Sequence, residues 1–417
     1  MPLCHIVGAG LAGLSAAIRL AAAGHRIVLY EAGPQAGGRC RSYFDEVLGC
    51  RIDNGNHLLM SGNRATLDYL AAIGAADTLT GTAAALFPFV DLASGERWVL
   101  APGRGPLPFW LFDAKRRVPG SRPADYLTGL RIARARPADT VAALVGGNRA
   151  LYRRFWEPLA IAALNTEAEH AAASLLWPVL RQTFARGADY CRPLVARDGL
   201  SESFVDPALA RLAGQGGKLL TACRVRGIGF EDERAVSLDL GGETVALEPG
   251  DRIVVAVPPA IAASLLPGLV VPNEFRAIVN AHFRLGPTAA GAALTVLGVI
   301  GGAAQWVFRR GDLASVTVSA ATDLVDTDAE ILAPLLWADV AAALELSPAP
   351  LPPWRIVKEK RATFAQTPDQ LRRRPQAATR WRNLALAGDW TDTGLPATIE
   401  GAVRSGIAAA ECVRDIA

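Results

Sequence analysis

At 417 residues the chain is long enough for two domains and a large buried core. A net charge of +3, from 43 basic and 40 acidic residues, is too small to imply a nucleic-acid partner. The six cysteines (Cys4, Cys40, Cys50, Cys191, Cys223, Cys412) form no C-x-x-C pair, and the five histidines (His5, His25, His57, His170, His282) show no metal-ligand spacing. With no signal peptide ahead of the first strand, the expectation is a reducing cytoplasm, no structural disulfide and no metal.

An apolar strand, His5–Val7, runs into Gly8-x-Gly10-x-x-Gly13, and an alanine-rich helix follows to about Ala23. A second strand, Arg26–Tyr30, ends on Glu31. Gly8 makes the turn, Gly10 lets a pyrophosphate approach the backbone, and Gly13 lets the helix pack against the strand. The helix start, Leu11 and Ala12, presents free amides and a partial positive charge to that pyrophosphate. Glu31 and Ala32 follow the second strand, where a carboxylate accepts both ribose hydroxyls and repels a 2′-phosphate. The pattern is a dinucleotide site disfavouring NADP; the competing reading is a βαβ unit with no ligand.

Further along come Gly37-Gly38-Arg39-Cys40-Arg41-Ser42 and Asp53-Asn54-Gly55-Asn56-His57. Between Leu111 and Arg154 ten basic residues face three acidic ones, beside Phe87, Phe89, Trp98 and Phe109-Trp110-Leu111-Phe112. Aromatic anchors next to a basic cluster suit an anionic bilayer face; a buried aromatic cluster beside a solvated basic face is the alternative. A helix over about Ser201–Gly214 leads to a strand ending in Cys223-Arg224-Val225, and another strand spans Arg252–Val257. Leu285–Phe308 is uncharged and long enough to cross a bilayer. Its Pro287, small residues and the Gly301-Gly302 turn instead predict a meander of strands. Asn383–Trp390 reads as a buried strand ending in Gly388-Asp389, and Pro396–Val413 as a helix. No repeat and no second glycine fingerprint follow.

The second glycine element and the strand–Gly-Asp–helix at the C-terminal end resemble those of FAD-dependent amine oxidases and phytoene desaturases. Leu159–Thr166, Ile278–Phe283 and Gly388-Asp389-Trp390-Thr391 narrow the resemblance to the squalene-associated FAD-dependent desaturases, whose members act as hydroxysqualene dehydroxylases in hopanoid-producing bacteria. The likeness spans essentially the whole chain. It implies an α/β fold of two domains: a Rossmann-type FAD domain from 1–80, 196–259 and 381–417, and a mixed-sheet and helical substrate domain from 81–195 and 260–380. It implies FAD contacts from Gly37, Gly38, Arg39 and Arg41, from the flavin-facing loop Asn54, Gly55 and Asn56, and from Val225 through its backbone. Gly388, Asp389 and the helix start at Ala397, Thr398 and Ile399 complete that set.

The implied reaction is hydroxysqualene plus reduced FAD giving squalene, water and oxidised FAD. Losing an allylic hydroxyl makes a delocalised cation, so the site needs a proton donor and a dry, cation-tolerant pocket. His57 and His282 are candidate acids, each with a structural alternative: shaping the flavin loop, or a satisfied strand histidine. Asn165 bonds the substrate hydroxyl or caps the turn after an apolar helix, Asp53 orients the loop, and Glu400 is favoured by the last helix's dipole. A minority of Phe87, Phe89, Trp98, Trp110, Phe155, Trp156, Trp177, Trp306 and Phe308 line the pocket. The expected partners are a C30 isoprenoid, an anionic membrane surface met peripherally at the inner face, and upstream squalene-pathway enzymes. An oxidative desaturase or amine oxidase, and a non-catalytic isoprenoid carrier, are the competing functions.

Overall fold

The computed structural model describes residues 2–286 and 294–414, without the side chain of Arg149. Pro287, which argued against a membrane span, lies outside the described residues. A five-stranded parallel sheet forms the first layer, in the order Lys218–Leu220, Arg26–Tyr30, Leu3–Val7, Arg252–Val255, Leu384–Leu386. Strands drawn from both ends and the middle of the chain thus meet side by side. All but the exposed edge strand Lys218–Leu220 are largely buried and read as near-continuous apolar runs, as parallel strands do. The first helix, Leu11–Ala22, buries nine of its residues, because its alanines and glycine allow close approach. The last helix, Ile399–Arg414, packs on it so tightly that a Cβ at Gly406 would lie 2.3 Å from the Ala12 carbonyl oxygen.

The second layer is a seven-stranded mixed sheet in the order Trp354–Phe364, Phe275–Arg284, Leu313–Val318, Trp306–Arg310, Thr295–Ile300, Phe87–Asp91, Glu96–Leu100. Only Thr295–Ile300 with Phe87–Asp91 is parallel. The expected meander is present within 294–318, and among the described residues no helix is long and apolar enough to cross a membrane. A helical layer from residue 109 to 190 covers one end of this sheet.

Two expectations change. The strand foreseen to end at Val225 stops at Leu220, because Ala222 turns the chain through a left-handed φ of 51°. Phe87, Phe89 and Trp98 are not surface anchors. Phe87 and Phe89 lie on the same face of one strand, Trp98 sits directly across from Phe89, and the two rings stack at 5.5 Å in the core.

Candidate active site

The glycine cradle can be tested by asking what a side chain would meet. At Gly8 an added Cβ would lie 2.4 Å from the Ala256 carbonyl oxygen, and at Gly13 2.0 Å from that of Gly8. At Gly10 it would meet nothing within 4 Å. Two of the glycines therefore serve packing, and the third borders open space. Leu14 N–H makes the first helical bond, to Gly10 at 2.9 Å, which leaves the amides of Leu11, Ala12 and Gly13 without intrahelical acceptors, aimed toward that space. Glu31 braces the cradle: its carboxylate accepts from Ala9 N–H at 3.0 Å and Gly33 N–H at 2.8 Å. Ala32 is exposed at the rim. Gly37 is pinned to the first loop through its amide on Ala9 at 2.8 Å, with a φ of 104°. Val225 is buried beside the sheet edge, with Tyr30 and Val7 in the same cluster.

The two distant glycine motifs meet through side chains. Arg39 pairs with Asp389 at 2.8 Å across 350 positions and also donates to the Ala362 carbonyl. Its side chain is 45% exposed to water yet densely surrounded by protein, as befits a residue lining an internal cleft. Burial works against its charge, but Asp389 more than compensates, and the guanidinium is held above its ordinary range. Arg41 turns back onto the Gly38 carbonyl. Behind Asp389, buried Arg374 clasps the carbonyls of Asp389, Trp390 and Thr391. Thr398 caps the last helix, its hydroxyl accepting from Gly401 N–H at 3.1 Å. Ala397 N–H goes to Gln366 at 3.0 Å, so that amide is engaged by protein, with Ile399 opening the helix beside it. Glu400 caps a different helix from the one foreseen. Its carboxylate accepts from Ala65 N–H and from the amide and hydroxyl of Thr66 at the start of Arg64–Ala72.

The loop 53–57 lies against the mixed sheet. Asp53 accepts from the Ser42 hydroxyl at 2.7 Å and Leu200 N–H at 2.9 Å, and pairs with Arg310 at 2.8 Å. Asn280 donates to the Asn54 carbonyl at 3.5 Å and accepts from Thr317, which in turn accepts from Asn56 at 3.1 Å. A Cβ at Gly55 would press on the Asn280 amide at 3.3 Å. This chain of bonds presents His57 to a pocket shared with Leu200, Leu294, Phe308 and Arg310. Burial lowers the His57 pKa to about 4, Arg39 adding to the effect and Asp53 opposing it, so the imidazole is neutral at pH 7.

His282 and Asn165 are placed differently. His282 is fully buried, its Nδ1 2.8 Å from the Ser315 hydroxyl, and burial lowers its pKa to about 4. Its Nε2 makes no hydrogen bond among the described residues. The residue has no exposed surface and lies close to Asp53. Asn165 closes the helix Glu157–Leu164 in a left-handed conformation, φ 43°. Its amide donates to Thr363 at 3.0 Å and Arg276 at 3.3 Å and accepts from Ala320 N–H at 2.7 Å. Both amide hydrogens are spent within the protein, and the residue closes the turn after the helix as the capping reading expects.

Residues 11–414 match the family described as flavin containing amine oxidoreductase. The chain belongs to that family. Within it, the chain is 50% identical to the hydroxysqualene dehydroxylase of Rhodopseudomonas palustris over 98% of this chain and 97% of that one. It is 43% identical to the hydroxysqualene dehydroxylase of Zymomonas mobilis over 99% of both chains. It stands with the hydroxysqualene dehydroxylase group. Among solved structures, cyclohexylamine oxidase from Brevibacterium oxydans superposes with a TM-score of 0.72 at 15% identity, over 99% of this chain and 98% of that one. A putrescine oxidase double mutant gives 0.71 at 17% identity over 99% of both. At those identities the likeness is one of fold.

FAD is the family's cofactor, and the residues present fit it. The open space at Gly10 suits a pyrophosphate, and the Glu31 carboxylate at the end of the second strand would hold a ribose diol. Arg39, partly exposed, joins the two glycine motifs through Asp389. Of the aromatics named from sequence, Phe308 reaches the His57 pocket. Phe87, Phe89, Trp98, Phe155 and Trp156 are buried in one cluster, with Trp110, Trp177 and Trp306 packed against it. Arg310, Arg374 and Gln366 escaped sequence reading. Gln366 ties the Leu164–Thr166 turn to Ala397: its side-chain amide donates to the Leu164 carbonyl at 2.6 Å, its backbone N–H donates to the Thr166 hydroxyl at 3.0 Å, and its side-chain oxygen accepts from Ala397 N–H. Each does its work through contacts remote in sequence.

Proposed function

We propose that this chain removes the hydroxyl of hydroxysqualene reductively, giving squalene and water with reduced FAD as electron source. The reading rests most on 50% identity, across almost the whole chain, to a protein named for that activity. Bound reduced FAD supplies hydride. The allylic C–O bond breaks with its electron pair leaving on oxygen, a proton drawn from solvent makes that oxygen water, and hydride closes the carbon. The residues of the pocket suit such a step. Arg39 and Arg310 each carry a carboxylate partner, Asp389 and Asp53, so the cleft is not strongly positive where a cation forms. A neutral His57 likewise adds no opposing charge and offers an N–H to the leaving oxygen. Leu200, Leu294 and Phe308 keep that side apolar.

The domain division proposed here assigns the parallel sheet to FAD and the mixed sheet with its helical layer to the isoprenoid. A C30 isoprenoid is nearly insoluble in water, so the enzyme meets it at a bilayer, and attachment is peripheral, to an anionic surface. Exposed Phe109 and Phe112 beside basic residues support this.

The deciding experiment is anaerobic. The purified holoprotein is photoreduced, hydroxysqualene is added, and flavin absorbance is followed with product extraction. Reoxidation with squalene formation is expected. Bleaching of the oxidised protein by a saturated isoprenoid or an amine, without reoxidation by hydroxysqualene, would replace the reading with an oxidative one. Silence in both would favour a carrier. His57→Ala should keep its FAD and lose turnover by ~10-fold, the order expected from losing one hydrogen bond to the leaving oxygen.

A further inference from the structure

The basic segment that adjoins the aromatic run folds into an arm, residues 103–117, rooted on the helical layer. Ala188 N–H bonds the Gly103 carbonyl at 2.8 Å, and Ala101 N–H bonds that of Arg116 at 3.0 Å. At its tip is one short 3-10 turn, Phe109–Phe112. Residues three apart eclipse in such a turn, so Phe109 and Phe112 share one side. They are 70% and 75% exposed, while Leu111 is buried and Trp110 packs edge-on to Tyr126. Tyr126 belongs to the next helical turn, Pro123–Thr128, which exposes Leu127, and the short helix that continues it, Gly129–Ile132, exposes Leu130. Leu107, on the arm, is 60% exposed. Arg104, Lys115, Arg122, Arg131 and Arg134 are exposed around these apolar groups.

At the root of this arm is a cavity of about 180 Å³ whose charged lining is Arg104, Arg116 and Arg192 against a single carboxylate, Asp189. Arg116 is braced by its bonds to the Ala101 and Pro102 carbonyls. Arg192 Nε is buried with no hydrogen-bond partner among the described residues. No ion pair among those residues involves any of the three arginines. Leaving a buried guanidinium donor unsatisfied is costly. Three guanidinium groups around one cavity make a site for an anion with several acceptor oxygens, and planar guanidinium suits phosphate best. The apolar arm beside it identifies the source of that phosphate.

We infer that the Arg104–Arg116–Arg192 cavity binds the phosphate of an anionic lipid headgroup while Phe109, Phe112 and Leu107 enter the acyl boundary. The inference rests on the peripheral attachment proposed above and gives it a specific lipid site. An apolar tip and a phosphate pocket together hold the protein in one orientation, whereas diffuse charge does not.

The test uses FAD-loaded protein with phosphatidylcholine vesicles, with and without phosphatidylglycerol, and separately glycerol phosphate in solution. Three double variants are compared: Phe109→Ser with Phe112→Ser, Arg104→Gln with Arg192→Gln, and, as charge control, Lys115→Gln with Arg131→Gln. FAD content and circular dichroism certify the fold. The control should weaken binding to phosphatidylglycerol vesicles by at most about 25-fold, roughly five-fold per surface charge. The pocket variant should weaken it by about 100-fold or more, and the arm variant should abolish it. A pocket variant no weaker than the control overturns the lipid site and leaves membrane attachment standing. Wild-type protein that ignores vesicles but binds glycerol phosphate makes the source a soluble phosphate and overturns both. Wild-type protein that binds neither also overturns both.

Discussion

Gly10 and Gly13 lie three residues apart in one motif, yet the structure assigns their substitutions opposite outcomes. Gly10 has φ −74° and ψ 177°, a conformation any residue adopts, and its Cβ would point into open space. Gly10→Ala should therefore leave the FAD-free protein as stable as the parent, or more stable by about 0.4–1 kcal/mol through a less flexible unfolded chain. The same methyl group occupies the space a pyrophosphate needs, so FAD affinity should fall by ~100-fold, or about 2.7 kcal/mol. Gly13→Ala places its methyl 2.0 Å from the Gly8 carbonyl oxygen and 3.2 Å from the Ala256 side chain. The first helix must then lift from the sheet, at a cost of roughly 1–3 kcal/mol or more. Urea unfolding of both FAD-free variants, paired with flavin fluorescence titration, separates the two effects. A Gly10→Ala protein that binds FAD as tightly as the parent would refute the placement of the pyrophosphate. An undiminished Gly13→Ala stability would refute the packing argument.

Other outcomes can be stated more briefly. Asp389→Asn keeps the shape but unpairs Arg39, and should cost ~10-fold or more in FAD affinity by titration, whereas Arg374→Gln should lower thermal stability first. Unfolded histidine titrates near 6.5 and His282 near 4. Between those values the unfolded state binds more protons, so stability should fall as pH drops from about 6.5 to 4, by ~3 kcal/mol from this residue. Urea midpoints across that window should flatten in His282→Gln; an unchanged slope would remove His282 as the cause. Asn165→Ala should destabilise by about 1–3 kcal/mol in the same assay, with turnover per folded molecule unchanged.

The dinucleotide cradle was legible because each of its demands is local. A turn, a close approach and a carboxylate at a strand end are written within about thirty positions, and Arg26–Tyr30 appears with the boundaries its sequence suggested. Arg39 and Asp389 were legible singly, through motifs, though nothing local revealed that they touch. Arg310 could not be read at all: its importance comes from Asp53, 257 positions away. Phe87, Phe89 and Trp98 were misplaced because nearness in sequence to a basic run was taken for nearness in space. The alternation of Phe87 and Phe89, opposite a tryptophan after a tight turn, was the better signal, since period two with a cross-strand aromatic describes a sheet interior. For Asn165 the deciding fact is the left-handed backbone, visible only once the helix before it is built.

The strand order of the parallel sheet also bears on how the protein is made. Its central strand, Leu3–Val7, is translated long before Leu384–Leu386 and the helix that covers Leu11–Ala22. At ribosomal speeds of about 5–20 residues per second, roughly 20–80 s separate the two. Throughout that interval the apolar first helix lacks its cover and Arg39 lacks its carboxylate. The cradle that Gly10, Arg39 and Asp389 share is therefore completed only once the last strand and helix have emerged.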